Sequence, residues 1–171
     1  EVIEAHWLFG VPAEHIGVVI HPQSVVHSIV NYVDGSSLAQ LGHTDMRIPI
    51  AHALAHASAS GERFASGLET LNLAQVGKMD FIEPDLDKFV NVRLAFDALR
   101  AGGAASIILN ASNEIAVDAF LNQKIGFLQI AQVNERALNM LHFAMPESLE
   151  QICDVDEQVR RWAMEHIQNL T

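Results

Sequence analysis

The chain has 171 residues, half of them hydrophobic, and its 21 acidic against 10 basic side chains give a formal net charge of −11. That length holds one ordinary domain or two small ones, and the charge argues against nucleic acid, which needs clustered Lys and Arg, and against anionic membrane surfaces. No apolar run approaches the roughly 18 residues needed to cross a bilayer, and no signal peptide is visible. The single Cys153 excludes an internal disulfide framework and fits a reducing, cytoplasmic setting. Cys153 itself reads as a buried small hydrophobe.

In chain order, Glu1–Phe9 has a helical pattern with no cap residue before Glu1. The chain therefore reads as a piece of a longer protein that starts inside a helix. A strand is expected over Ile16–Ile20. Hairpin strands follow over Val25–Val33 and Ser36–Leu41, turning at Asp34-Gly35, a pair that favours a two-residue turn because it tolerates positive φ. A helix is predicted over Met46–Ala57, capped by Asp45, with Pro49 tolerated in its first turn. Residues 58–87 carry Gly61, Gly67, Gly77 and Pro84, but also Phe64, Leu68, Leu71, Leu73 and Phe81. They read as a connector draped in extended form over folded parts.

After Asp87 the period becomes helical. Phe89, Val92, Phe96 and Leu99 mark one face of a helix that Gly102-Gly103 ends. Further helices are expected over about Ala104–Gln123 and Leu128–Met140. The last opens at Asp154, whose spacing to Glu157 is a capping box. Val155, Val159, Trp162 and Leu170 form its inward face, with Ala163 and Ile167 beside them. The expected fold class is α+β in three segments. Residues 1–57 form part of an α/β domain with an antiparallel hairpin, 58–87 the extended connector, and 88–171 a four-helix bundle.

Several residues are candidates for chemistry. Glu1 and Glu4, at i,i+3, place two carboxylates on one helix face, which suits a cation or simply a solvated surface. His21, Ser24 and His27 cluster in sequence at the entry of the hairpin, with a further hydroxyl at Ser28. His27 falls on the strand face of Val25 and Ile29, which suits a core or boundary histidine as well as a ligand or catalytic one. His52 and His56 have zinc-ligand spacing, but residue 53 is Ala where a metalloprotease motif has Glu. Asn110, Ser112, Asn113 and Glu114 interrupt an apolar helix and read as structural, tying the bundle to the connector or to the α/β segment. No Gly-rich phosphate loop or dinucleotide fingerprint is present.

Five motifs together resemble one family. They are E-x-I-E-A-x-W-L-F at Glu1–Phe9, I-H-P-Q-S-V-V-H-S at Ile20–Ser28, D-G-S-S-L-A-Q-L-G at Asp34–Gly42, D-M-R-I-P-I-A-H-A at Asp45–Ala53, and L-N-A-S-N-E-I-A-V-D-A-F at Leu109–Phe120. In this order they are similar to the C-terminal part of the 1-deoxy-D-xylulose-5-phosphate reductoisomerases. The resemblance implies an NADPH-dependent rearrangement and reduction of 1-deoxy-D-xylulose 5-phosphate to 2-C-methyl-D-erythritol 4-phosphate, in non-mevalonate isoprenoid biosynthesis. It implies a divalent cation, Mg²⁺, Mn²⁺ or Co²⁺, and a homodimer. Glu1 matches the last of three acidic metal ligands, which also places it at the substrate. Ser24 and His27 match residues lining the substrate pocket, and Met46 matches one near the nicotinamide.

The family's other two acidic ligands, its NADPH domain, its lid and its phosphate contacts lie upstream of these motifs. The chain alone is therefore expected to be inactive, with catalysis belonging to the whole protein. The alternative is a segment that acts only as an assembly or binding module. Thr44 stands where some relatives carry Pro, and His6 where Arg is common.

Overall fold

The chain is described here from a computed structural model covering residues 1–58 and 61–170. Cα proximity divides it into two units, Val18–Pro84 and Glu1–Gly17 with Asp85–Thr171. These units cut the chain at 17/18 and 84/85, whereas the three segments read from sequence cut it at 57/58 and 87/88. Ala59 and Ser60 of the expected connector, and the terminal Thr171, lie outside the described residues.

In the first unit, β1 (Val26–Asn31) and β2 (Ser37–Leu41) pair antiparallel. The turn differs from the expected two-residue type. The Gly35 N–H donates to the Tyr32 carbonyl at 3.0 Å and the Tyr32 N–H to the Ser36 carbonyl at 2.8 Å, so Val33, Asp34 and Gly35 form a three-residue loop. Gly35 takes a φ of 86°, whereas Asp34 is not among the positive-φ residues. That is a turn followed by a left-handed glycine, and it relieves Asp34 of the strained conformation. Asp34 serves instead as an acceptor: its Oδ1 takes the Ser36 N–H at 2.9 Å and the Ser36 hydroxyl at 2.6 Å. These bonds hold its carboxyl below the usual range.

The expected strand over Ile16–Ile20 does not form. Ala13–His15 make a 3-10 turn, and Ile20 alone pairs, exchanging hydrogen bonds of 2.8 and 2.9 Å with Ile82. Gly17 weakens the run, and Pro22 has no N–H to extend a ladder. Helix α2 (Arg47–Ala57) forms as expected, with Pro49 in its first turn. The connector is not wholly extended. Asn72 caps a one-turn helix, α3 (Leu73–Val76), by accepting the Ala74 and Gln75 amides.

The second unit packs helices α1 (Val2–Phe9), α4 (Val90–Ala101), α5 (Ala105–Leu121), α6 (Phe127–Met140) and α7 (Leu149–Gln168). Helix α5 lies at its centre. Its buried Ala111, Ala116 and Ala119 let α6 and α7 approach closely. Helix α7 buries Val155, Val159, Ala163 and Ile167 at successive i,i+4 steps, while Leu170 is exposed. Cys153 is exposed rather than buried. Two residues before Val155 is about 200° around the helix, away from the seam.

Two other helical readings need correction. Helix α4 turns Leu94 and Ala98 inward against Leu109 and Ile3, not the face of Phe89, Val92, Phe96 and Leu99. Both faces carry apolar residues, so periodicity did not distinguish them. Helix α7 starts five residues before Asp154. Ser148 accepts the Gln151 N–H at 3.3 Å, which satisfies one free amide of the first turn, and Gln151 reaches back to accept the Glu147 N–H at 2.7 Å, just before the helix.

The polar residues of α5 make hydrogen bonds within the helical unit. Asn134 of α6 is fully buried. Its Nδ2 donates to Asn91 and Asn113, both at 3.0 Å, and its Oδ1 accepts the Ser112 hydroxyl at 3.1 Å. Three helices thus share one amide. On the surface, Glu114 takes Asn110 at 3.1 Å and Arg160 of α7 at 2.6 Å. The Arg160 guanidinium and then the Asn110 amide hold the Glu114 carboxyl below its usual range.

Asn134→Ala removes three hydrogen bonds, to the exposed Asn91, the half-buried Asn113 and the buried Ser112, and is expected to cost about 2–3 kcal/mol in urea unfolding. Ser148→Ala is expected to cost about 1 kcal/mol. Asp154→Ala should stay within about 0.5 kcal/mol; a larger loss there than at Ser148 would return the helix start to Asp154.

Candidate functional site

The site is built where the chain enters the hairpin. The Ser24 N–H donates to the His21 carbonyl at 3.0 Å, closing a turn over Pro22 and Gln23. Ser24 has a φ of 51°, in the left-handed region that a side chain disfavours. Its carbonyl accepts the Thr44 hydroxyl at 2.8 Å. The Val25 carbonyl accepts the Gly42 N–H at 2.9 Å. Two consecutive carbonyls of the incoming chain are thus bound by the outgoing one.

His27 sits at a break in the ladder. Val26 pairs with Leu41 and Ser28 with Gln40, which leaves His27 as the extra residue of a bulge. The simple alternation that grouped it with Val25 and Ile29 is interrupted there. Bulges re-aim side chains, and the His27 ring turns so that Nε2–H donates to the Gly42 carbonyl at 3.1 Å. A carbonyl only accepts, so this bond places a proton on Nε2, and in the neutral ring Nδ1 is then an acceptor.

After Gly42 the chain carries His43, Thr44 and Asp45 into α2. The residue at the helix cap is Met46 rather than the expected Asp45, but Asp45, one position earlier, still binds the helix start: its Oδ1 accepts the Arg47 N–H at 2.9 Å. It also forms a bidentate pair with the Arg47 guanidinium, Oδ2 to Nη2 at 2.7 Å and Oδ1 to Nε at 3.0 Å. The Arg47 side chain, and then its backbone amide, pull the Asp45 carboxyl down to about 2. A groove of about 540 Å³ opens beside this corner, walled by Met46, Ile48 and Pro49, with His27, His52 and Arg63 among its polar lining. Met46 is well exposed, at 69%.

His27 and Met46 therefore share one groove, whereas Ser24 is not among its lining residues and is linked to it by the bond from its backbone carbonyl to Thr44. Glu1 belongs to the other unit, exposed and immediately before α1. The rings of His52 and His56 are 6.4 Å apart. Among the described residues no three His, Cys, Asp or Glu side chains gather into a cation site.

Sequence reasoning did not single out Gly42, Arg63 or the binding role of Thr44. Arg63, a cation in an acidic chain, was a visible signal. The Gly42 carbonyl carried none, since a backbone group has no residue type.

The family model described as "DXP reductoisomerase C-terminal domain" matches residues 41–162, and the chain belongs to that family. It is 54% identical over 167 residues to a 1-deoxy-D-xylulose 5-phosphate reductoisomerase of Acidithiobacillus ferrooxidans, covering 98% of this chain and 42% of that protein. With the Chlorobium chlorochromatii enzyme of the same name it shares 53% identity over 163 residues, covering 95% and 41%. A solved reductoisomerase from Zymomonas mobilis in complex with NADPH superposes with a TM-score of 0.87 at 43% identity, over 97% of this chain and 43% of that one. A solved complex with NADPH, fosmidomycin and magnesium gives 0.88 at 47% identity, over 99% and 43%. The chain thus spans about two-fifths of the length of these relatives. Among the described residues, no helix is long and apolar enough to cross a membrane.

The Asp45–Arg47 pair gives a pH signature. The folded carboxyl titrates at about 2, below its ordinary 3.8, so the pairing contributes stability above pH 3.8 that is lost as pH falls toward 2. Arg47→Gln is expected to move the Asp45 midpoint, followed by carboxyl NMR, upward toward 3.8. An unmoved midpoint would assign the depression to the backbone amide alone.

Proposed function

We propose that the protein carrying this chain is a 1-deoxy-D-xylulose 5-phosphate reductoisomerase, both an isomerase and an oxidoreductase, making 2-C-methyl-D-erythritol 4-phosphate for isoprenoid synthesis. The observation that carries the proposal is the bulged His27 locked to Gly42 beside Ser24, Thr44 and Met46, within a chain of the reductoisomerase C-terminal family. The activity is assigned to the full-length protein.

Each residue has a role that its geometry allows. His27, with Nε2–H bound to Gly42, presents Nδ1 as an acceptor for a substrate hydroxyl. Ser24, with its backbone groups committed to His21 and Thr44, has a hydroxyl available to a phosphate or hydroxyl oxygen. Met46 offers an apolar face suited to a flat nicotinamide ring. Glu1 supplies one carboxylate toward a divalent cation, the remainder coming from elsewhere in the full-length protein. When bound, such a cation polarises a carbonyl and NADPH supplies hydride.

NADPH and Mg²⁺ are the proposed cofactors because solved relatives are complexes with them; Mn²⁺ and Co²⁺ are proposed as substitutes. A cytoplasmic homodimer is proposed, supported by the exposed Val30 and Leu38 of the hairpin.

The test is NADPH oxidation by the full-length protein with 1-deoxy-D-xylulose 5-phosphate and Mg²⁺. Glu1→Gln is expected to lower kcat/KM by at least about a hundredfold, and Glu4→Gln by less than about threefold. His27→Gln, which cannot reproduce both ring contacts, is expected to lower kcat/KM by about ten- to a hundredfold. Equal losses at Glu1 and Glu4 would reject the metal assignment.

A further inference from the structure

The segment just before Ser24 is held more densely than a surface turn requires. Its partner is a single residue, Asp80, more than fifty positions away. The Asp80 carbonyl accepts the His21 Nδ1–H at 2.8 Å. Its backbone N–H donates to Gln23 Oε1 at 3.1 Å, and its Oδ2 accepts Gln23 Nε2–H at 2.9 Å. Every polar group of Asp80 is thus turned on the two residues that flank Pro22, apart from Oδ1, which takes the Lys78 ammonium at 2.6 Å. The neighbours extend the grip. Phe81 stacks on the His21 ring with centroids 4.6 Å apart, and Ile82 exchanges both backbone hydrogen bonds with Ile20.

Two features mark this as a clamp with a cost. Ser24, the next residue, stands at a φ of 51°, a conformation that persists only where the surroundings over-determine it. His21 Nε2 is buried and has no hydrogen-bond partner among the described residues. A buried ring nitrogen normally finds one. The ring therefore stays in an orientation set by Asp80 and Phe81, not by the needs of its own second nitrogen. Lys78 first, and then the Gln23 amide, hold the Asp80 carboxyl below its usual range, so it remains the charged acceptor that Gln23 needs.

We infer that Asp80 is a positioning residue for substrate binding: through Gln23 and His21 it fixes the turn that holds Ser24 in its left-handed conformation. Asp80 does not touch substrate; it aims the residue that does. The inference rests on the reading of Ser24 as a substrate contact. Its mechanism is geometric. With residues 20–23 anchored on 80–82 and the Ser24 carbonyl anchored on Thr44, rotation about the Ser24 φ has no slack on either side. A hydroxyl misplaced by about 1 Å weakens a hydrogen bond steeply.

A double-mutant cycle in the full-length enzyme tests this, reading KM for 1-deoxy-D-xylulose 5-phosphate separately from kcat. Ser24→Ala and Asp80→Ala are each expected to raise KM by about tenfold, with smaller changes in kcat. The double variant should be no worse than Ser24→Ala alone, because the clamp acts through a hydroxyl already removed. Gln23→Glu should mimic Asp80→Ala by opposing two carboxylates. Adding Asp80→Asn to Gln23→Glu should restore KM to within about threefold, since the amide and the carboxylate have exchanged places. If Asp80→Ala does not fold, Gln23→Ala takes its place in the cycle. Full additivity of the two KM effects, or no rescue by the exchanged pair, overturns the clamp while leaving Ser24 as a contact. An unchanged KM in Ser24→Ala overturns the site reading and the inference with it.

Discussion

The hairpin unit depends on one crossing of hydrogen bonds, where the Gly42 amide binds the Val25 carbonyl, the Gly42 carbonyl binds the His27 ring, and the Thr44 hydroxyl binds the Ser24 carbonyl. A two-stranded ribbon is marginal by itself, and its open end is where it would fray. These three bonds close that end. They also act on residues with chemistry, so the same contacts that stop fraying set the ring of His27 and the backbone of Ser24. Gly42 is buried, and a Cβ built there would meet Ile48 Cδ1 at 3.4 Å. The position therefore carries two backbone bonds in close contact with the Ile48 side chain of the first turn of α2.

The helical unit solves a different problem with a similar economy. Asn134 occupies a site where an aliphatic residue would be easier to bury, yet its amide satisfies partners on α4 and α5 at once. A buried polar group is tolerable only when every bond is made. Three bonds of 3.0–3.1 Å meet that condition and define how α4, α5 and α6 register along their axes. Apolar seams such as Val155–Ile167 on α7 supply burial without direction; the amide supplies direction.

The acidic balance of the chain also becomes intelligible locally. A net charge of −11 opposes an anionic ligand at long range, but the groove at the head of α2 is lined by His27, His43, His52 and Arg63. The one acid among its lining residues, Asp45, is committed to Arg47. Short-range donors, not net charge, decide what such a groove accepts, because charges farther apart than about 8–10 Å are screened in ordinary salt.

Local chemistry was enough to read much of this from sequence. The apolar and glycine pattern placed α4, α5 and α6 within about two residues, Asp45 announced the start of α2, and Asp34-Gly35 announced a reversal. Family motifs pointed to Ser24, His27 and Met46. What sequence misplaced were choices between locally equal options. Leu94–Ala98 and Phe89–Leu99 are both apolar faces, and only packing against Leu109 and Ile3 selects the first. Ser148 and Asp154 both head a capping pattern, and the helix took the earlier one. The His27 bulge, the left-handed Ser24 and the grip of Asp80 on His21 and Gln23 lay beyond any local pattern. They arise from hydrogen bonds to backbone groups 15 to 59 positions away in sequence. A backbone carbonyl or amide carries no residue identity by which sequence could announce it; only the folded chain brings donor and acceptor together.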